Sequence, residues 1–147
     1  MIYEKINSEL KEALKAKDEK KSGVLRMIIS QIRNKEIEKK GAGSDPVLTE
    51  DEVLDLVKKE AKKRKEAIVL YEQGNRADLA DVEKAELVII QTYLPAEMSR
   101  EDIEKVVLEI KNSGVSEFNV LIKEAMAKLK GQADGKLVSE VVKSVLQ

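Results

Sequence analysis

The stretch from Thr49 to Gly74, TEDEVLDLVKKEAKKRKEAIVLYEQG, runs without proline and without glycine until its last residue. Thr49 and Glu52 have the spacing of a capping box, in which hydroxyl and carboxylate each satisfy an otherwise free amide at a helix start. From there Val53, Leu54, Val57, Ala61, Ile68 and Tyr71 recur at helical intervals. The spacing predicts a long helix from about Glu50 to Gly74 with one apolar stripe. A helix this long must bury its stripe against other helices, so the fold class depends on whether the flanking sequence has the same period.

It does on both sides. Ile2, Ile6, Leu10, Ala13 and Leu14 form one stripe reaching about Ala16. Asp18 is placed to cap a second helix, whose Val24, Leu25, Ile28, Ile29, Ile32 and Ile37 follow before Gly41-Ala42-Gly43-Ser44-Asp45-Pro46 imposes an exposed loop. After Gly74, a fourth helix is expected from Asp78 to Tyr93, with Leu79, Val82, Leu87, Ile90 and Leu94 toward the core and Pro95 as its stop. Beyond it, Ser99 with Asp102 opens a helix through Ile103, Val106, Val107 and Ile110 that ends at Ser113-Gly114. Ser116 starts a sixth with Val120, Leu121, Ala125 and Leu129, and Asp134 caps a seventh with Leu137, Val138, Val141, Val142 and Leu146. Adjacent valines favour strands, but the helical spacing of the apolar positions around them decides for helix. The expectation is an all-α fold: an N-terminal antiparallel helical module with long helices over residues 1–95, and a small C-terminal three-helix module over 96–147. Ile28, Ile32, Leu54, Val57, Leu87 and Ile90 should be buried together.

Composition restricts the chemistry. With no cysteine and no histidine, thiol nucleophiles, thiolate ligands and the commonest general base and metal ligand are missing. No catalytic residue, metal site or cofactor is expected. No stretch approaches 18 uncharged apolar residues, and MIYEKINSEL lacks the apolar run of a signal peptide. No membrane association and a cytoplasmic location are the expectations. The net charge is only −1, from 27 Lys and Arg against 28 Asp and Glu. Contact with a polyanion would therefore have to use local clusters.

Two clusters qualify. Lys58-Lys59-Glu60-Ala61-Lys62-Lys63-Arg64-Lys65-Glu66 is the most basic run in the chain, and it reads first as a solvated helix face. Lys128, Lys130 and Lys136 instead flank a turn bracketed by Gly131 and Gly135, where backbone could approach a partner closely. A helix C-terminus at Gly131 and a cap at Asp134 account for those residues completely, so from chemistry alone contact with a partner is the second reading. The phosphate-loop pattern G-x-x-x-x-G-K-[ST] is excluded by the glycine spacing and by the lack of Ser or Thr after Lys136. Glu50, Asp51 and Glu52 suit the dipole of a helix start. Arg64, Arg76, Asp78, Glu83 and Glu86 are spaced to pair between and along the third and fourth helices, a structural role.

Several of these residues also carry a resemblance. Arg64-x-x-Ala67-Ile68, Tyr71, Gly74-Asn75-Arg76-Ala77-Asp78-Leu79-Ala80, Glu83, Glu86-Leu87, Tyr93-Leu94-Pro95 and Lys130-Gly131-x-Ala133-Asp134-Gly135 closely resemble the YqeY-like family, as do Leu25-Arg26-Met27 and Asn34-Lys35-Glu36-Ile37-Glu38. That family shares its domain with the helical and tail region of the B subunit of the glutamine-dependent aminoacyl-tRNA amidotransferase. The resemblance implies two all-helical subdomains and a tail associated with tRNA recognition. It implies a tRNA-binding accessory protein without catalysis of its own, with Lys128, Lys130, Gly131, Gly135 and Lys136 as the expected contact residues. A module docking on a translation-related protein is the alternative. A carbon-nitrogen ligase using glutamine as amido donor is the third, disfavoured because a glutaminase needs an activated nucleophile and an ATP site needs a phosphate cradle. Gln132 stands where the family often has a basic residue, and Phe118-Asn119-Val120 replaces a Met-Gly-like helix start.

Overall fold

The computed structural model of the protein describes residues 1–129 and 132–147. Among the described residues there are seven helices and no strand: α1 (Ile2–Lys15), α2 (Glu19–Gly41), α3 (Glu50–Gln73), α4 (Ala77–Gln91), α5 (Arg100–Asn112), α6 (Phe118–Leu129) and α7 (Gly135–Leu146). The all-α expectation holds. The chain divides into two compact units, Met1–Leu94 and Pro95–Gln147. No described helix is long and apolar enough to cross a membrane.

In the first unit the helix starts form where short polar side chains can accept from free amides. Asp18 accepts from Lys21 N–H, and Thr49 and Glu52 complete a reciprocal capping box. The Ile2 N–H donates to Glu50 Oε1 at 2.9 Å, which ties the start of α1 to that of α3. α3 and α4 form an antiparallel hairpin packed on α2. Ile6, Leu25, Ile28, Ile32, Val57 and Ile90 are fully buried, with Leu87 packed against them. Each such side chain contributes roughly 1.5–3 kcal/mol of transfer free energy.

The structure corrects the predicted core at several places. Leu54 is only half-buried and Val53 takes its place, because the line Val53, Val57, Ala61 faces α2 and Leu54 lies a residue round the helix. Leu14, Val82 and Val120 lie at the margins of their stripes and are exposed. α4 stops at Gln91, short of the predicted Tyr93. The Tyr93 and Leu94 amides donate to Ile90 and Gln91 carbonyls, each three residues back, and the Thr92 hydroxyl donates to the Ile89 carbonyl. That tightening of the last turn ends the helix before Pro95 is reached and leaves Tyr93 buried. α6 begins at Phe118, two residues after the predicted Ser116, because Leu121 N–H takes the Glu117 carbonyl as the first helical acceptor.

The second unit packs α5, α6 and α7 around Ile103, Val107, Ile110, Leu121, Ala125, Leu129, Val138, Val141 and Val142. Ser99 and Asp134 cap α5 and α7. Val141 and Val142 are buried in a helix, so packing overrides their strand preference. Lys111 Nζ donates to the Val145 carbonyl at 3.0 Å, satisfying one of the free acceptors at the end of α7.

Candidate nucleic-acid interface

Lys128 lies in the last turn of α6 and Lys136 in the first turn of α7, so the two helix ends that carry these lysines are close neighbours in the chain. Lys130 and Gly131, the other two contact residues read from sequence on this turn, lie outside the described residues. Gln132 N–H donates to the Leu129 carbonyl at 2.9 Å, and the Gln132 carbonyl accepts from Met98 N–H at 2.8 Å. This holds the segment ahead of α7 to the chain that leads into α5. Asp134 then accepts from Lys136 N–H at 3.2 Å and begins α7.

Gly135 is the first residue of α7 and is exposed. A Cβ built there would meet only the Met126 methyl at 3.7 Å, an ordinary contact. Neither its backbone conformation nor its packing requires glycine. The first turn of α7 contains no acidic residue but does contain Lys136, which is exposed and has no ion-pair partner among the described residues. A cation beside the positive end of a helix is unfavourable by itself, and here the Asp134 carboxylate already stands at that end as the cap, so a phosphate would share the site with it.

Lys128 is in a different situation. A positive side chain at a helix C-terminus is favourable by itself, and its Nζ lies 3.3 Å from Glu109 of α5. Both side chains are more than half exposed, so the pair is weak and a phosphate can displace it. Lys128 also lines an open groove of about 540 Å³ with Glu109, Ile110, Ser113, Glu124 and Ala127, in which two carboxylates outnumber the lysine. The second unit as a whole has eight Lys and Arg against nine Asp and Glu. Attraction of a polyanion to this unit would rest on the end of the helix pair rather than on net charge.

The first unit contains a second cluster, which the sequence showed only in part. Arg64 of α3 donates through Nη1 to Glu83 at 2.9 Å and to Glu86, both on α4, and through Nη2 to Met27 Sδ of α2 at 3.2 Å. These are the pairs expected between the third and fourth helices. Glu60 was missed. It is buried, its Oε1 lies 3.3 Å from Arg64 Nε, and its Oε2 accepts from Gln31 Nε2 at 2.8 Å. The signal was present: the apolar stripe of α3 has a gap between Ala61 and Ile68 where Arg64 stands, and Glu60 lies four residues before Arg64 on the same face. Burial alone would lower the Arg64 pKa, but the hydrogen bond to Glu83 and the charges of Glu86, Glu83 and Glu60 outweigh it and raise the value. Arg76 pairs along α4 with Asp78 at 3.1 Å, and both groups are exposed. Among the described residues no group of His, Cys, Asp or Glu is arranged to hold a metal ion.

The chain is similar over most of its length to known proteins. A family profile described as "Yqey-like protein" matches residues 3–146. A relative from Vanderwaltozyma polyspora, "Altered inheritance of mitochondria protein 41, mitochondrial", is 39% identical over 60% of this chain and 46% of its own length. The protein of the same name from Saccharomyces cerevisiae is 32% identical over 84% of this chain and 68% of its own length. The matched region thus spans about half of the first relative and two thirds of the second.

Proposed function

The chain belongs to the YqeY-like protein family, and from that premise we propose that it is a non-catalytic, tRNA-binding accessory protein. Its contact residues in this reading are Lys128, Lys130, Gly131, Gly135 and Lys136. The observation that carries it is the start of α7, where an exposed glycine that the fold does not require sits beside a lysine at the positive end of the helix. Beyond the Lys136 amide that Asp134 caps, a helix N-terminus offers amides to a phosphate, and a bare Cα lets the backbone of the nucleic acid come near. Such contacts position a ligand rather than read its bases, so the expected binding is to tRNA shape and charge. In this reading the compartment is the cytoplasm, whereas the yeast relatives carry "mitochondrial" in their names.

The test is purification at low salt followed by the absorbance ratio at 260 and 280 nm. With three tyrosines and no tryptophan the protein absorbs weakly at 280 nm, so co-purifying RNA is conspicuous, and sequencing identifies it. The expected result is a ratio dominated by RNA enriched in tRNA. An RNA-free protein that also fails to bind added tRNA in about 50 mM salt, where charge-driven contacts are strong, would remove this reading and leave docking on a translation-related protein in its place.

A further inference from the structure

From Lys20 to Lys35, α2 carries five Lys and Arg and no carboxylate, in a chain whose charges otherwise nearly cancel. Gly23, Arg26, Ser30, Arg33, Ile37 and Lys40 follow one another at alternating steps of three and four, which puts them on one helix face. All six are exposed. The side of α2 that meets the core is a different one, made of Val24, Leu25, Ile28, Ile29 and Ile32. Most carboxylates on or near α2 are committed or lie at its ends, and Glu36, one turn from Arg33 and Lys40 and half-buried, is the one that flanks the face. Lys21 pairs with Glu9 at 3.9 Å, Lys35 with Glu38 at 2.7 Å and Lys39 with Glu52 at 2.9 Å, while Glu19 stands in the first turn. Arg26, Arg33 and Lys40 have no ion-pair partner among the described residues.

We propose that this face of α2 is a second binding surface, and that its ligand is the phosphate backbone of a folded RNA. The proposal takes its ligand class from the tRNA reading but sets the contact in the first unit, on residues that reading does not use. Three features select a polyanion over a protein partner. The cations repeat every seven residues, about 10 Å along the axis at 1.5 Å per residue, which suits a regularly charged strand. Ile37 is the one apolar side chain on the face, whereas the centre of a protein interface is apolar and depleted of charge. Two of the three cations are arginines, whose planar fork matches phosphate oxygens in pairs. Gly23 and Ser30 leave the helix surface low between the long side chains, and a Cβ at Gly23 would meet nothing within 4 Å, so the fold does not require glycine there.

The experiment uses the full chain and a variant with Arg26→Gln, Arg33→Gln and Lys40→Gln, together with a charge-retaining variant, Arg26→Lys, Arg33→Lys and Lys40→Arg. Binding of labelled unfractionated tRNA is followed by fluorescence anisotropy between about 50 and 200 mM salt. The three positions are exposed, so helix content and melting temperature should match wild type. The neutral variant should flatten the slope of log affinity against log salt by about 2–3 units, at 0.7–0.9 per phosphate contact, and the charge-retaining variant should keep most of it. An unchanged slope in the neutral variant overturns the proposal. If that slope is unchanged while Lys128→Gln, Lys130→Gln and Lys136→Gln together flatten it, the α6–α7 reading survives alone. Binding of poly-glutamate that the α2 substitutions abolish, with no binding of tRNA, would assign the face to an acidic protein and overturn the RNA ligand.

Discussion

Replacing Arg64 by Met would remove the one guanidinium on which Glu60, Glu83 and Glu86 converge. Methionine keeps much of the stem's packing, so the loss is chiefly of charge and hydrogen bonds. An exposed ion pair contributes 0–1 kcal/mol, whereas stranding a buried charge costs about 3–5 kcal/mol. The side chain of Glu60 is 6% exposed and those of Glu83 and Glu86 are 18% and 23%. One nearly buried carboxylate and two that keep some water place the cost near the lower end, about 3 kcal/mol. For a unit of this size that lowers the melting temperature by about 12–24 °C. Glu60→Gln should behave differently. Glu83 and Glu86 keep the guanidinium paired, but the single amide oxygen can face only one of Gln31 and Arg64 Nε, so a cost of about 1–2 kcal/mol, less than for Arg64→Met, is expected. All three tyrosines, Tyr3, Tyr71 and Tyr93, lie in the first unit, so circular dichroism in the tyrosine band, to the red of phenylalanine absorption, reports that unit during urea unfolding. A loss below about 1 kcal/mol for Arg64→Met, or equal losses for the two variants, would refute the account of this cluster.

The corrected core face makes an unequal pair: Ile28→Ala should cost about 2–5 kcal/mol and Leu54→Ala under about 1 kcal/mol, measured by the same unfolding, and equal costs would restore Leu54 to the core. Burial, and then the hydrogen bond to and charge of Glu9, hold the Tyr93 hydroxyl protonated well above the ordinary tyrosine range. The folded pKa is raised, so this contribution to stability is complete below about pH 10 and is lost as pH rises further. The melting-temperature gap between wild type and Tyr93→Phe should therefore narrow between pH 8 and pH 11, and a gap independent of pH would contradict the assignment. Arg76→Ala should leave the melting temperature unchanged within error, since its pair with Asp78 is exposed, and a loss of several degrees would show that Arg76 helps hold the helix hairpin.

What could be read from the sequence was what is decided within a few residues. The caps at Asp18, Thr49, Ser99 and Asp134 formed where their spacing put them, because a cap needs only its own first turn. Gly74 was a partial case. It marks the end of α3, but Asn75 takes the left-handed conformation with φ 56°, and Gly74 keeps a right-handed φ of −85°. Asparagine tolerates that region, so glycine's presence alone did not locate the turn. Glu60 escaped because its burial depends on a second helix, and a carboxylate amid lysines looks solvated until Gln31 of α2 closes over it. The stripe of Arg26, Arg33 and Lys40 escaped for the opposite reason. Seven-residue intervals hide a cluster that only the helix assembles, whereas the contiguous lysines of α3 stand out by eye.

The most direct measurement is the salt dependence of tRNA affinity for wild type and for the Lys128→Gln, Lys130→Gln, Lys136→Gln variant, with Lys59→Gln, Lys62→Gln, Lys63→Gln as a control of equal charge loss on α3. Each phosphate contact contributes about 0.7–0.9 to the slope. The account predicts that the first variant flattens the slope by about 2–3 units and that the control flattens it by less than about 1. Equal flattening by both sets, or no change with either, would contradict a contact surface at the end of α6 and the start of α7.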